Sequence, residues 1–273
     1  MTASDLRRAC RSGLAAMVLL GGAGVAQANI ITIGDGSNNL FDVNVVTGQV
    51  ANQVTVSGTN SGEVLTDVAY VGADLYGITN ANLYSIDRST GNALLVGSGL
   101  GASATGAGIN SMFYDGSTLF AMGFSGTNLF SIDFNSGSAS IIGDVGTTTA
   151  GDIEQSNVAA DELFISSLTP DNSTFTSVEK DGTGHSVIGN MGIGDVYGLA
   201  YVGNTLYGAA GTSVYSVNTV VGSTTLSAAI QDDIDVAYGA TRVVPIPAAA
   251  WLFGSAMLGM LGIGRYAKTK AAA

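Results

Sequence analysis

Leu83-Tyr-Ser-Ile-Asp-Arg-Ser-Thr-Gly-Asn-Ala-Leu-Leu-Val-Gly97 is the stretch on which the fold turns. Its first five positions recur without gaps as Leu40-Phe-Asp-Val-Asn44, Leu129-Phe-Ser-Ile-Asp133, Phe175-Thr-Ser-Val-Glu179 and Val214-Tyr-Ser-Val-Asn218. Successive copies start 43, 46, 46 and 39 residues apart. Spacing in that range marks a solenoid or a propeller. Each copy opens on a β-branched and aromatic run, which reads as a strand. Asp or Asn then stands four positions before Gly in four copies: Asn44 and Gly48, Asp87 and Gly91, Asp133 and Gly137, Asn218 and Gly222. That is hairpin chemistry. The side chain bonds back to the turn backbone, and Gly takes the positive φ that a Cβ disfavours. The fourth copy reads Glu179-Lys-Asp-Gly-Thr-Gly184 and predicts another turn type. A further strand follows each turn.

A second hairpin precedes each core. Its strands are Asp67 to Gly72 with Leu75 to Gly77, Ser111 to Asp115 with Leu119 to Ala121, and Gly198 to Gly203 with Leu206 to Gly208. In the fourth copy the expected pair is Asn157-Val-Ala-Ala160 with Leu163-Phe-Ile165. The unit is therefore four antiparallel strands, the size of a propeller blade. The first copy starts at Ile30 and lacks an innermost strand, which the far end supplies as Ile234-Asp-Val-Ala-Tyr-Gly239. A split blade would pair both chain ends in one sheet and close the ring. The alternative is an open β-solenoid, which would need polar capping repeats. The expectation is an all-β propeller of about five four-stranded blades with split-blade closure. The repeats resemble the YVTN-like and related propeller repeats of bacterial surface proteins over residues 30 to 239. That resemblance implies the fold and leaves the function open.

The flanks predict an address. Residues 1 to 28 have Arg7, Arg8 and Arg11, then an apolar run from Gly13 to Val25, then Ala26-Gln-Ala28 as a small-x-small cleavage site. This is the pattern of a signal peptide, with a mature chain from Asn29; a short membrane anchor is the other reading. Cys10, the single cysteine, lies in that segment, so disulfide and zinc-thiolate chemistry is excluded from the mature chain. At the other end no charge lies between Arg242 and Arg265. Residues 243 to 264 number 22, enough at about 1.5 Å each to cross a hydrocarbon core of about 30 Å. Arg265, Lys268 and Lys270 then place the basic end in the cytoplasm. The domain boundaries read 1–28, 29–241 and 242–273.

The tail resembles the PEP-CTERM sorting signal of Gram-negative bacteria. The matching residues are Pro245, Pro247, Trp251, Leu252, Phe253, Gly254 and Ser255; Ile246 stands where the family name has Glu. The resemblance implies export, recognition by the membrane protease-transpeptidase exosortase, and release to the cell surface or extracellular matrix. An ordinary membrane anchor is the plainer reading of the same apolar run.

Between residues 29 and 243 stand three bases, Arg88, Lys180 and Arg242, against 20 acids, a formal charge of −17. Nucleic acid and anionic lipid are poor partners for such a body. Calcium is the cation to consider, and Asp232, Asp233 and Asp235 are the candidate ligands. Neither that run nor Asp152-Ile-Glu154 has the spacing of a calcium loop. His185 is the only histidine, in a Gly-flanked turn, and no nucleophile elbow or zinc-binding His pair occurs. The expectation is a non-enzymatic, exported binding or structural protein, associated with exopolysaccharide and needing no cofactor. The rival is an exported hydrolase or lactonase with an acidic or metal site on the ring axis; a third reading is a permanently anchored single-span receptor.

Overall fold

The computed structural model describes residues 29–100 and 108–243. The signal segment with Ala26 and Ala28, and the tail with Pro245, Pro247, Trp251, Leu252, Phe253, Gly254 and Ser255, lie outside the described residues.

Twenty strands form five four-stranded antiparallel sheets. Blade one holds β1 (Ile30–Asp35), β2 (Asn39–Asn44) and β3 (Val50–Thr55). Blade two holds β4 (Asp67–Val71), β5 (Asp74–Ile78), β6 (Asn82–Ile86) and β7 (Ala93–Ser98). Blade three is β8 (Ile109–Tyr114), β9 (Leu119–Gly123), β10 (Asn128–Asp133) and β11 (Ser138–Asp144). Blade four is β12 (Thr149–Gln155), β13 (Glu162–Ser167), β14 (Thr174–Glu179) and β15 (Ser186–Asn190). Blade five is β16 (Val196–Val202), β17 (Thr205–Ala210), β18 (Ser213–Val217) and β19 (Thr224–Ala229). The last strand, β20 (Ala237–Arg242), pairs antiparallel with β1 and completes blade one.

The innermost strands β4, β8, β12, β16 and β20 pack in that order, and β20 packs against β4. The ring is therefore closed, as the split first copy predicts. Five apolar clusters, each shared by two neighbouring blades, fill the wedges between sheets. Leu83 of blade two shares a cluster with Met112 of blade three, and Phe164 of blade four with Leu199 of blade five. Each fully buried Leu or Phe contributes about 1.5–3 kcal/mol. Burial from both sides explains why the middle strands read as apolar on both faces.

The hairpin chemistry is as the repeats predict. Asn44 Oδ1 accepts the amides of Val46 and Thr47, and Asn218 Oδ1 those of Val220 and Val221. Asp87 Oδ1 accepts that of Ser89 and Asp133 Oδ1 that of Asn135. Gly48, Gly91, Gly137 and Gly222 have φ of 74°, 75°, 69° and 78°. The fourth turn differs: Gly182 donates to the Glu179 carbonyl and Glu179 to the Thr183 carbonyl.

These glycines have a second task. A Cβ on Gly137 would lie 2.6 Å from Cα of Gly97 on the previous blade's outer strand. The same fit joins Gly182 to Gly143 at 2.7 Å and Gly222 to Gly189 at 3.0 Å. Turn glycine on outer-strand glycine thus fastens blades two to five in succession at the rim, while Gly91 faces the Thr55 carbonyl and Gly48 the Ala229 carbonyl at the other two junctions. The outer strands also carry a bulge, at Val96, Ile142, Ile188 and Ser227. A bulge breaks the ladder and twists an exposed edge away from partners.

Two sequence expectations need correction. The innermost strand of the fourth copy is Thr149–Gln155, and residues 157–160 belong to the turn that follows it. The closing strand is Ala237–Arg242, displaced toward the C-terminus from the expected 234–239. Both errors arise at the axis, where the chain is polar or Gly-rich and the apolar repeat pattern stops.

Candidate functional site

An innermost strand has one edge without a partner, so its amides face the axis unsatisfied. The register gives five equivalent residues, one per blade: Val68, Met112, Ile153, Leu199 and Ala240. The amides of all five converge on two carboxylates. Val68 donates to Asp67 Oδ1 at 2.7 Å and Met112 to Asp67 Oδ2 at 2.6 Å. Ile153 donates to Asp152 Oδ1 at 2.6 Å. Leu199 donates to Asp152 Oδ2, and Ala240 approaches the same oxygen at 3.4 Å. The residues that precede these amides are Asp67, Ser111, Asp152, Gly198 and Gly239. Two of five blades supply a carboxylate, and the others carry a small residue there; a Cβ on Gly198 would meet Ala240 of the closing strand. Gly239 shows the requirement directly: its φ is 59°, and a Cβ there would overlap Asp67 Oδ1.

Both aspartates are 1% exposed. Burial raises each carboxyl well above the ordinary range, against the lowering effect of the amides. Each also feels the other, and the Asp67 charge raises Asp152. Glu154, two residues along β12 and 3% exposed, is pushed by burial up to about 7, with Arg242 opposing that shift. Asn110, beside Ser111, donates to the Ala150 carbonyl at 3.0 Å, and its Oδ1 is buried without a partner.

Asp152 and Glu154 therefore belong to the axis. Asp232, Asp233 and Asp235 lie instead in the loop before β20. Asp232 accepts the Asp233 amide, and Asp235 accepts the Val236 amide and the Ser37 hydroxyl. Among the described residues no group of three or more His, Cys, Asp or Glu side chains is arranged to hold a metal ion. His185 is exposed in the turn before β15.

All three bases of the described body reach across blades. Arg88 on the β6–β7 turn bonds Asp42 of blade one at 2.9 Å and the Asn52 carbonyl at 2.7 Å. Lys180, in the divergent fourth turn, bonds Asp115 of blade three at 2.7 Å and stands 5.6 Å from the Phe120 ring centre. Arg242, at the end of β20, lies 5.7 Å from the ring centre of Phe113 in blade three. Among the other acids, Glu63 accepts from the Asn82 side chain and the Tyr84 hydroxyl, and Asp195 from the Asn172 side chain and the Tyr197 hydroxyl. A cleft of about 840 Å³ lies outside blade two, lined by Asp74, Tyr76, Asp87, Arg88, Asn92 and Leu94 among others.

Sequence reading missed Asp67 as a site residue, because Asp67-Val-Ala-Tyr70 reads as an ordinary buried strand. The available signal was the recurring step from a small or acidic residue to an apolar one: Asp67-Val68, Ser111-Met112, Asp152-Ile153, Gly198-Leu199 and Gly239-Ala240.

No family model matches the chain, and no curated protein matches it. Solved structures do. A chain from the crystal structure of a nidogen/laminin complex aligns over 78% of this chain and 97% of its own, with a TM-score of 0.52 and 11% identity. A structural-genomics protein of unknown function from Bacteroides thetaiotaomicron aligns over 79% of this chain and 62% of its own, at TM-score 0.50 and 11% identity. At such identity the likeness shows the propeller fold alone.

Proposed function

We propose that this chain is an exported, non-enzymatic propeller whose tail is a sorting device read by exosortase, and that it serves a binding or structural role at the cell surface or in the extracellular matrix. The observation that carries the reading is where the chain enters and leaves the ring. Ile31 of β1 is the strand partner of Arg242 of β20, so both ends meet in one sheet at one rim. The ring is complete before the tail begins. Cleavage near Pro245 or Pro247 would leave all twenty strands in place, as a cleavable sorting tail requires.

The axial acids support a non-enzymatic role. General acid or base work needs a carboxyl within reach of substrate. Asp67 and Asp152 instead spend their oxygens on backbone amides, and Asp67, Asp152 and Glu154 are at most 3% exposed. The convergence of three acids is also what favours the rival, an axial hydrolase or lactonase. The two readings separate on one assay: the rival requires ester or glycoside turnover that Glu154→Gln abolishes while the fold persists.

Charge narrows the partner. With its bases committed across blades and its acids in excess, the body would repel polyanions. An exopolysaccharide partner would accordingly be neutral or amino-bearing, and nucleic acid would be a poor partner.

Intact-mass analysis of protein from washed cells and from medium tests the sorting reading. A chain from Asn29 to about Pro247, found outside the membrane and lost in an exosortase-deficient strain, is expected. A chain that keeps Lys270 and sediments with membranes would make it an anchored protein instead.

A further inference from the structure

The axial carboxyls have a consequence beyond support of the backbone. Asp67 and Asp152 come from alternate innermost strands and reach adjacent residues of the closing strand. Asp67 fills the space that a side chain at Gly239 would take, and Asp152 accepts the Ala240 amide. Four amides hold the oxygens in place, and both residues are almost wholly buried. Amides carry no net charge, so they orient two carboxylates without neutralising them. The charged and titratable neighbours are few. β12 adds Glu154, itself an acid; β16 adds Tyr201, whose hydroxyl donates to Asn157; β20 adds Arg242, held over Phe113; β8 brings only the neutral Asn110 and Ser111. No base lies between the two aspartates. Two like charges in one dry site cannot both persist, and the ordinary resolution is a shared proton.

We propose that Asp67 and Asp152 hold one proton between them, and that this proton is a structural part of the closed ring. One carboxyl donates to the other, while the amides of blades two to five and the closing strand fix both. The device makes ring closure depend on pH. The unfolded chain releases the proton near the ordinary Asp value of 3.8, and the folded ring keeps it to higher pH. The folded state then binds more protons than the unfolded state, so stability falls as pH rises above that value.

The test uses purified full-length protein labelled with carbon-13 at the aspartate carboxyls, together with its Asp67→Asn and Asp152→Asn variants. In the wild type, one carboxyl equivalent should remain protonated at pH 7, where the exposed aspartates have all ionised. Asn keeps one acceptor oxygen, so it gives up one of the two amide bonds, but its NH2 can donate to the remaining carboxylate, so either variant should lose the protonated signal. Each should also lose part of the decline in melting midpoint between pH 5 and pH 9, about 3–5 °C for every tenfold change in the folded-to-unfolded ratio that the proton controls. Repulsion among surface acids also grows over this range, and Asp74→Asn, at an exposed site, should leave the decline unchanged. Wild-type titration with every aspartate ionised by pH 6 would overturn the proposal, as would an unchanged decline in both Asn variants. The wild-type spectrum decides the matter even where a variant does not fold.

Discussion

The Met112 amide donates to Asp67 Oδ2 at 2.6 Å, joining the innermost strand of blade three to that of blade two. The same carboxylate holds its own strand through the Val68 amide. One side chain therefore satisfies two edge amides and ties two blades. Removal by Asp67→Leu leaves both amides buried without acceptors, at about 1–3 kcal/mol each. The expected loss is about 2–5 kcal/mol in urea unfolding at pH 7. Since Ser111 stands at the equivalent place in blade three, Ser111→Ala should cost less than about 1 kcal/mol. Equal losses at the two positions would show that the carboxylate does not perform this task.

Glu154 makes a separate prediction for pH. Burial holds its carboxyl at about 7 in the folded protein, against an ordinary value of 4.5. Between these values the folded state keeps a proton that the unfolded state has lost, so stability falls as pH rises from 4.5 to 7 and levels off above. The full effect is at most about 3 kcal/mol. Glu154→Gln should make the decline shallower in that window alone, while the decline assigned to the aspartate pair, which runs through the window and beyond it, remains. Urea midpoints measured at half-unit pH steps would show it.

The rim fastening separates two reasons for glycine. Gly97 has ordinary backbone angles, but a Cβ there would overlap the Ser136 carbonyl of the next blade's turn. Gly203 has φ of 59° and open space around it. Gly97→Ala must displace backbone and should cost about 3 kcal/mol. Gly203→Ala carries only the left-handed penalty, about 1 kcal/mol. The reverse order in thermal unfolding would mean that the blades are not in register at the rim.

Lys180 and Asp115 link blades four and three. Burial alone would raise the Asp115 carboxyl, but the Lys180 ammonium and the amides of Thr118 and Ser117 outweigh it and hold it well below the usual range. The contribution is therefore present above the ordinary value of 3.8 and is lost as pH falls below it. Lys180→Met keeps the stem over Phe120 and removes the charge. A loss of about 1–2 kcal/mol is expected at pH 7, where the pair is largely buried, shrinking toward nothing in acid. A difference that stays constant down to pH 2 would argue for packing alone.

The parts legible in the sequence and the parts hidden from it divide along the radius of the ring. Middle strands are buried on both faces, so Leu83-Tyr-Ser-Ile-Asp87 and its copies carry a strong pattern, and the Asx-to-Gly turns follow from local chemistry alone. At the axis the demand is different. Thr149-Ala-Gly-Asp-Ile-Glu-Gln155 is an innermost strand because its carboxylates satisfy amides from other blades, a partnership no local pattern reveals. Asp235-Val-Ala-Tyr238 copies Asp67-Val-Ala-Tyr70 in letters. Yet the residue equivalent to Asp67 is Gly239, because Asp67 itself occupies the space where another side chain would project. Lys180, likewise, reads as a flaw in the fourth turn until its partner on blade three is seen.

Closure by the last strand gives the sharpest test of the architecture. β20 supplies the innermost strand of blade one, pairs with β1, and packs against β16 and β4. A chain stopped after Val243 keeps all twenty strands and should melt as cooperatively as the full-length protein. A chain stopped after Ile234 loses only nine further residues but removes β20 entirely. It uncovers Ile31 and Ile33, strips the Gly239–Ala240 step from the axial carboxyls, and leaves β1, β4 and β16 with bare faces. Each buried Ile alone is worth about 1.5–3 kcal/mol, and the total stability of a domain is commonly about 5–15 kcal/mol. The shorter chain should therefore lack a cooperative transition and expose apolar surface to a hydrophobic dye. Retention of a sharp melt by the shorter chain would mean that four blades suffice and that β20 is an accessory to the ring.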